Sequence, residues 1–159
     1  MSLRLHISIA KQQLQLLRGN DVLKTFTIST AKNGPGEKSG SGCTPRGQHY
    51  VRAKIGDNQP INAVFVGRRP TGEIYHPELA AQFPQRDWIL SRILWLCGNE
   101  RGKNRLGDVD TMRRYIYIHG TPDSEPMGIP LSHGCVRMQN QDIMELFAAI
   151  PPYCPVYIE

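Results

Sequence analysis

The first ten residues alternate between apolar and polar side chains, and this pattern restricts the start of the chain to a β-strand. The apolar positions are Leu3, Leu5, Ile7 and Ile9. Successive side chains of a strand point to opposite faces, so a period of two is typical of a strand with one buried face. The start of the chain is therefore predicted to pack one face against a hydrophobic core.

Strand signals recur along the rest of the chain. The Gly19-Asn20 pair favours the positive φ angles of a tight hairpin turn between the second and third strands. Another turn is predicted at residues 69–72, which read Arg-Pro-Thr-Gly. After the first strand, further strands are predicted over residues 13–17, 22–30, 49–55, 62–66, 115–119 and 154–158.

Two segments change to the pattern of a helix. Asp87 is positioned to cap a helix over residues 88–97, which is apolar on most sides and is followed by Gly98. Asn140 is positioned to cap a second helix over residues 141–149, whose apolar side chains form one stripe. Because strands do not alternate with helices, a doubly wound sheet is not expected.

The strand-rich pattern predicts a mostly-β fold, a sandwich or partly open barrel with two short helices. The 159 residues suit a single domain, residues 1–159, of ordinary globular composition, with 40% apolar and 21% charged side chains. No apolar run exceeds five residues, whereas a membrane-spanning helix needs about 20. No membrane span is therefore predicted.

The charge balance favours anionic partners. The formal net charge is +5 and the pI is about 9.2, which suits nucleic acid, acidic lipid or a substrate that carries carboxylates. The basic pairs at residues 68–69 and 113–114 lie outside any recognisable nucleic-acid-binding module. We interpret them as solvated strand ends, and no nucleic-acid partner is predicted.

Residues 33–47 are rich in glycine and proline and are predicted to form a loop. They lack the Gly-Lys-Ser/Thr sequence of a phosphate-binding loop. A flexible rim of an active site and a simple connection both fit this composition, and the sequence leaves the two open.

The residues best suited to chemistry lie in two short segments. His119 ends a predicted strand, and Cys135 lies further along in the segment 132–137, which reads Ser-His-Gly-Cys-Val-Arg. A cysteine attacks a carbonyl as the thiolate, and a neighbouring imidazole can remove the thiol proton. Both His119 and His133 are candidates for that base, and spacing alone does not decide between them.

Two neighbours of Cys135 add to this chemistry. Gly134 lets the backbone approach a substrate closely and can direct an N–H group at a developing oxyanion. Arg137 shares the face of Cys135 in an extended segment, and its planar guanidinium suits a carboxylate. Zinc binding by His119, His133 and Cys135 is an alternative, but the short paired spacing of most cysteine-containing zinc sites is missing.

The two segments together resemble the signature of the YkuD, or L,D-transpeptidase, catalytic domain. That signature is a His-Gly pair followed further along by Ser/Thr-His-Gly-Cys, with Arg or Asn two residues later. Here it reads His119-Gly120, then residues 132–135, then Arg137. Further matches, to the first hairpin and the glycine-rich loop of the family, lie at residues 13–16, 29–34 and 44–47.

The resemblance implies a covalent cysteine mechanism that acts on murein stem tetrapeptides. Cys135 would attack the carbonyl of the third stem residue and expel the terminal D-alanine. His119 would be the base, oriented by the backbone carbonyl of Gly120. His133 would line the oxyanion site with the N–H groups of Gly134 and Cys135.

The resemblance also implies the binding positions and the inhibitor class. Arg137 would hold the substrate or brace the loop around it. A carbapenem is expected to form a covalent adduct with Cys135, and no cofactor or metal is implied. The oxyanion and substrate-binding positions are Gly134, Arg137, Ser132 and Tyr117.

Water is expected to accept the acyl group, which makes the chain an L,D-carboxypeptidase of peptidoglycan recycling. The sequence shows no secretory leader, and three cysteines besides Cys135 suit a reducing compartment, so a cytoplasmic location is expected. A leader that had been removed would indicate the periplasm instead. An amine acceptor, which would form cross-links, is the alternative, and a non-catalytic murein-binding module is a more distant one.

Overall fold

β-Strands make up most of the regular structure in the computed structural model, which describes residues 2–159. Within these residues the strands are β1 (Leu3–Ser8), β2 (Gln13–Arg18), β3 (Asp21–Thr27), β4 (Gly47–Ile55), β5 (Ala63–Val66), β6 (Arg69–Ile74), β7 (Ile89–Gly98), β8 (Tyr117–Gly120), β9 (Val136–Met138) and β10 (Pro155–Ile158). The helices are α1 (Pro77–Gln82) and α2 (Asn140–Ala149). The predicted mostly-β class with two short helices is confirmed.

The strands form one curved sheet in the order β3-β2-β1-β10-β4-β7-β5-β6, from which β8 and β9 branch at β7. Ser29, just beyond β3, exchanges two backbone hydrogen bonds with Arg137 of β9, at 3.0 and 2.8 Å. The path from β3 to β9 therefore returns to its own beginning, as the strands of a partly open barrel do.

The first hairpins form as the alternating pattern predicts. β1 pairs antiparallel with β2 over six residue pairs, and the turn at residues 19–20 leads into β3. Gly19 has the predicted positive φ, +61°, but Asn20 does not. Leu5, Ile7 and Leu14 lie in the buried core, whereas the alternate side chains of β1 do not. The other predicted strands are also present, with their ends shifted by up to three residues.

The predicted helix over residues 88–97 is wrong, because this segment is the central strand β7. β7 pairs with β4, β5 and β8 and is almost entirely buried. A strand covered on both faces needs apolar side chains on both, so its sequence imitates a helix that is apolar all round. Asp87 caps no helix here; its Oδ1 accepts a hydrogen bond from Arg137 Nη2 at 3.2 Å.

The region between β5 and β7 also departs from the prediction. Residues 69–72 are not a turn but the start of β6; the turn lies at Gly67 and Arg68, whose φ angles are +56° and +64°. Helix α1 was not predicted. It begins at Pro77, a residue suited to the first helical position, and the His76 imidazole accepts a hydrogen bond from the Leu79 N–H.

Helix α2 was predicted correctly, but its predicted cap was not. Asn140 is the first helical residue, and Gln139 occupies the cap position without a side-chain hydrogen bond. The Asn140 amide instead donates to the carbonyl of Thr121 at 2.8 Å, and its oxygen accepts from the Ser91 hydroxyl at 2.6 Å. This buried side chain thus ties α2 to β7 and to the end of β8.

Neither helix within residues 2–159 combines the length and the apolar character that a membrane crossing requires.

A buried histidine fastens the long connection after β7 to β4. His49 Nδ1 lies 3.0 Å from the carbonyl oxygen of Gly47, and Nε2 lies 2.9 Å from the hydroxyl of Thr111. Because a carbonyl can only accept, Nδ1 carries the proton and Nε2 accepts from Thr111. Burial lowers the pKa of His49 from 6.5 to about 4, so the ring stays neutral in the folded chain.

This histidine predicts an acid-sensitive component of stability. The unfolded chain protonates His49 below pH 6.5, whereas the folded chain resists protonation down to about pH 4. Stability is therefore full above pH 6.5 and falls by about 3 kcal/mol as the pH drops through this window. Urea unfolding at several pH values should show a smaller loss in His49→Gln than in the original chain, and equal losses would contradict the assignment.

Candidate active site

The predicted chemical residues meet on two neighbouring parallel strands. β8 pairs with β9 in a register that sets His119 beside Arg137, and Cys135 comes two residues before Arg137. Because side chains alternate along a strand, Tyr117 and His119 share one face with Cys135 and Arg137. The intervening side chain of β8, Ile118, points into the main core.

These side chains line one cavity of about 280 Å³. Six of the predicted site residues line this cavity: Tyr117, His119, Ser132, His133, Cys135 and Arg137. Two charged residues that were not predicted, Asp87 and Arg114, also line it. Gly120 and Gly134 contribute to the site through backbone atoms instead. The structure therefore brings all the predicted site residues into one neighbourhood.

The sulfur of Cys135 contacts backbone groups at the start of β8 and just before it. The Tyr117 N–H donates to Sγ at 3.2 Å, and Sγ lies 3.4 Å from the carbonyl oxygen of Tyr115. The N–H contact favours a thiolate, whereas the carbonyl can only accept the thiol proton. In this arrangement neither histidine is hydrogen-bonded to the sulfur.

Cys135 is partly exposed, but the desolvation of its sulfur dominates the protonation of the side chain. Loss of water around Sγ raises the pKa of Cys135 to about 12, although the Tyr117 N–H and the charges of Arg137 and Arg114 act to lower it. Asp87 raises the pKa further, because its negative charge opposes a thiolate. The resting side chain is therefore a thiol, and a base has to remove its proton during the reaction.

His119 is buried and fixed in one orientation. Its Nδ1 lies 2.6 Å from the carbonyl oxygen of Gly120, so Nδ1 is the protonated nitrogen and Nε2 keeps its lone pair. Burial lowers the pKa of His119, and the charge of Arg137 acts in the same direction. A neutral imidazole with a free Nε2 can act as a general base.

His133 and Arg137 differ sharply in exposure. His133 is exposed at the mouth of the cavity, where it also borders two neighbouring cavities. Arg137 is buried, and its Nη2 donates to Asp87 Oδ1 at 3.2 Å. Asp87 is thus the counterion of Arg137, which the sequence did not indicate.

The segment before Cys135 is held by Ser132. The Ser132 hydroxyl donates to the carbonyl of Cys135 at 2.6 Å and accepts from the Gly134 N–H at 3.2 Å. The N–H of Gly134, a predicted oxyanion donor, is therefore already used within the chain. Gly134 has a φ of +137°, a conformation that side-chain-bearing residues rarely adopt.

The glycine-rich loop forms one wall of this region, which favours the rim interpretation over a simple connection. The buried Thr44 hydroxyl accepts from the Ala31 N–H at 3.0 Å and donates to the carbonyl of Gly134 at 2.9 Å. Gly40 and Gly42 line a neighbouring cavity together with His133. Thr44 thus fixes the backbone next to Cys135 from a position far away in sequence.

Arg114 fastens the same loop from the other side. Its guanidinium donates to the carbonyl of Cys43 at 2.6 Å and also to the carbonyls of Gly36 and Glu37. Because Arg114 also lines the cavity of Cys135, it couples the loop to the site and supplies a positive charge there. Sequence reasoning interpreted this arginine as a solvated strand end, and that interpretation is wrong.

The arrangement supplies the parts needed for acyl transfer: a thiol, a neutral imidazole and two guanidinium groups around one cavity. Within residues 2–159, no three His, Cys, Asp or Glu side chains converge as metal ligands would.

Comparison with known proteins defines the family. A family model described as the L,D-transpeptidase catalytic domain, YkuD, matches residues 2–158. The chain therefore belongs to the L,D-transpeptidase catalytic domain family.

Individual relatives agree over different extents. A protein of Escherichia coli strain K12 named "Probable L,D-transpeptidase YbiS" is 47% identical over 38 residues, which is 24% of this chain and 12% of that protein. An L,D-transpeptidase from Mycobacterium smegmatis has a TM-score of 0.57 at 16% identity. L,D-transpeptidase 3 from Mycobacterium tuberculosis, solved with a faropenem-derived adduct, has a TM-score of 0.58 at 16% identity.

The two solved structures share the fold over nearly all of this chain. The alignments cover 99% of it, but only 58% of the M. smegmatis chain and 60% of the M. tuberculosis chain. This chain thus spans less than two thirds of either solved relative.

Proposed function

We propose that this chain is a cysteine acyltransferase that acts on murein stem tetrapeptides and releases the terminal D-alanine. One observation carries the proposal: Cys135, His119 and Arg137 share one face of two neighbouring strands and line one cavity, and the His119 imidazole is held by Gly120. Membership of the L,D-transpeptidase family supplies the substrate class.

The first step is attack by Cys135 on the carbonyl of the third stem residue. As the S–C bond forms, the thiol proton passes to Nε2 of His119, and the carbonyl oxygen gains the negative charge. Because Cys135 has a raised pKa and His119 a lowered one, transfer before attack is unfavourable. Proton transfer is therefore coupled to bond formation, after Sγ turns away from the Tyr115 carbonyl.

The developing oxyanion is assigned to the backbone N–H of Cys135 and to the His133 side chain. The Gly134 N–H is a weaker candidate because it already donates to Ser132. When the tetrahedral intermediate collapses, the C–N bond breaks and the imidazolium of His119 gives its proton to the departing D-alanine amine. This step leaves a thioester on Cys135 and a neutral imidazole.

The substrate carboxylates are assigned to Arg137 and Arg114. Both residues line the cavity, and the net charge of +5 favours an anionic substrate. Because both Nη atoms of Arg114 already donate to the loop, Arg114 would attract a carboxylate mainly through its charge. Arg137 already holds Asp87, so a substrate carboxylate would share or replace that partner.

Water is the acceptor that we propose for the thioester, which makes the reaction a hydrolysis to the tripeptide. All four cysteines are free thiols, a state that suits a reducing compartment and recycled soluble stem peptides. Cross-linking to an amine acceptor is the alternative, and it would use the same thioester.

Product analysis in ¹⁸O-labelled water separates the two acceptors. Incubation with a disaccharide-tetrapeptide is expected to release D-alanine and a tripeptide whose new carboxylate carries one ¹⁸O. Dimer as the main product, without ¹⁸O at the new bond, would overturn the choice of water. An absence of D-alanine release would overturn the proposed function itself.

Arg137→Lys tests whether the guanidinium shape matters in addition to charge. Lysine keeps the positive charge but cannot form the two-pronged contact, so kcat/KM for the tetrapeptide is expected to fall by about tenfold or more. Arg46→Lys, which alters a pair with Glu37 outside the cavity, is the matched control and should retain activity. Full activity of Arg137→Lys would mean that Arg137 contributes only its positive charge and that the shape of the guanidinium does not matter.

A further inference from the structure

A second cavity, of about 490 Å³, shares none of its residues with the cavity of Cys135. It lies beside α2 and the end of β4. It is lined by Lys54, Asp57, Arg92, Met144, Phe147 and Ala148. The lining therefore combines two cations, one carboxylate and an apolar surface from the helix.

Arg92 lies in β7, and its side chain lines this cavity. Its side chain leaves β7 at a bulge, next to Ser91, whose φ is +71°. Gly56 lets the backbone pass close to this bulge, because a Cβ there would lie 2.8 Å from Phe65 Cζ and 3.1 Å from the carbonyl oxygen of Ser91. Only 7% of Arg92 is exposed, an unusual degree of burial for a charged residue.

Lys54 approaches the same aromatic ring. Its Nζ lies 4.5 Å from the centre of the Phe147 ring, and the Arg92 guanidinium carbon lies 5.3 Å from it. Among the described residues, no carboxylate lies within 4 Å of either cation. Two cations are thus held against one ring without an ion-pair partner.

Both cations keep unused hydrogen-bond donors. Arg92 donates only through Nη1, to the carbonyls of Gln59 and Ser91, and Lys54 donates once, to the carbonyl of Ile150. No buried side-chain nitrogen or oxygen in residues 2–159 lacks a partner, so Nε and Nη2 of Arg92 are reachable by solvent. These donors remain available to a ligand.

We propose that this cavity binds a small organic monoanion, a carboxylate attached to an apolar body. The carboxylate would accept hydrogen bonds from Arg92 and Lys54, and the apolar body would pack on Phe147 and Met144. Asp57 reduces the charge of the lining groups to +1, which matches one carboxylate better than a multiply charged anion. This assignment is independent of the proposed acyl-transfer function.

The probe is sodium benzoate, titrated into the full chain at constant ionic strength and followed by NMR at Arg92 Nε–Hε and the Phe147 amide. We expect saturable shifts with benzoate and none with benzyl alcohol, which has the same ring without the charge. Inorganic phosphate should bind more weakly than benzoate. Stronger binding of phosphate, or equal shifts with benzyl alcohol, would overturn the proposed ligand class.

Three variants locate the site. Lys54→Met should weaken benzoate binding by about tenfold, since it removes a charged donor. Arg52→Met, which removes a charge from the same strand outside the cavity, should leave it unchanged. Asp57→Asn, at an exposed position, should tighten it by about two- to fivefold.

Lys54→Met should weaken benzoate binding and Asp57→Asn should tighten it, so the test remains decisive even if Lys54→Met folds poorly. No tightening in Asp57→Asn would overturn the site, as would equal effects of Lys54→Met and Arg52→Met. The titration needs no turnover. A negative titration therefore does not affect the proposed release of D-alanine, and an absence of D-alanine release does not affect the proposed ligand site.

Discussion

Replacing Cys135 with serine is expected to lower D-alanine release from a disaccharide-tetrapeptide by roughly 10⁴-fold or more while the chain stays folded. The site is poorly suited to ionise even a thiol, because burial raises the pKa of Cys135 to about 12. An alcohol is a far weaker acid than a thiol, so the serine would rarely supply a nucleophile. The exchange of one atom should change the melting temperature little.

Cys43→Ser is the matched control. Cys43 is also partly exposed and lies in the loop beside the cavity, where its carbonyl accepts from Arg114. Its side chain has no part in the proposed reaction, so turnover should be retained. Full activity in Cys135→Ser, or its loss in Cys43→Ser, would contradict the assignment of the nucleophile.

Removing the imidazole of His119 is expected to slow acylation by about 10²–10⁴-fold, the usual contribution of a general base. The His119→Ala variant should also lose the acid limb of the pH profile. In the original chain this limb should lie below pH 6.5, because burial lowers the pKa of His119 and the base stays neutral to lower pH. Pre-steady-state acylation at several pH values measures both effects.

His133→Ala distinguishes the two histidines. His133 is exposed and has no carbonyl to orient it, whereas Gly120 orients His119. Removal of the His133 side chain should slow acylation, because the oxyanion is stabilised less, and should leave the acid limb of the pH profile in place. A normal rate in His119→Ala together with a lost acid limb in His133→Ala would exchange the two roles.

Local patterns predicted the parts of the fold that depend on one buried face. β1 alternates cleanly because one face packs on the core, and β2 does so up to the bulge between Leu16 and Leu17. The turn between β2 and β3 has the predicted positive φ at Gly19 only. The same reasoning failed for β7, which is hydrogen-bonded to β4 along one edge and to β5 and β8 along the other, and whose side chains are buried on both faces. Periodicity cannot separate such a strand from a buried helix.

Capping signals were ambiguous for a related reason. Asp87 and Asn140 both have side chains that cap helices well, yet the structure uses each for a long-range contact. Asp87 pairs with Arg137, and Asn140 joins Ser91 to Thr121. A polar side chain next to an apolar run therefore indicates a cap only when no distant partner competes for it.

The candidate site could be predicted from the sequence where the residues lie close together along the chain. Cys135 and Arg137 share a face because they are two residues apart in an extended segment, and the strand pairing then adds His119. Thr44 and Arg114 could not be assigned to the site, because their roles depend on contacts with distant segments. Such contacts exist only once the sheet has curved into its final shape.

The most direct test is peptide-mapped mass spectrometry after incubation with excess carbapenem. The β-lactam carbonyl takes the place of the peptide carbonyl, and ring opening leaves no departing group, so the adduct should persist. The account predicts one added drug mass, on the peptide that contains Cys135, and none on the Cys135→Ser variant. An adduct on Cys43, or an unmodified chain after prolonged exposure, would contradict it.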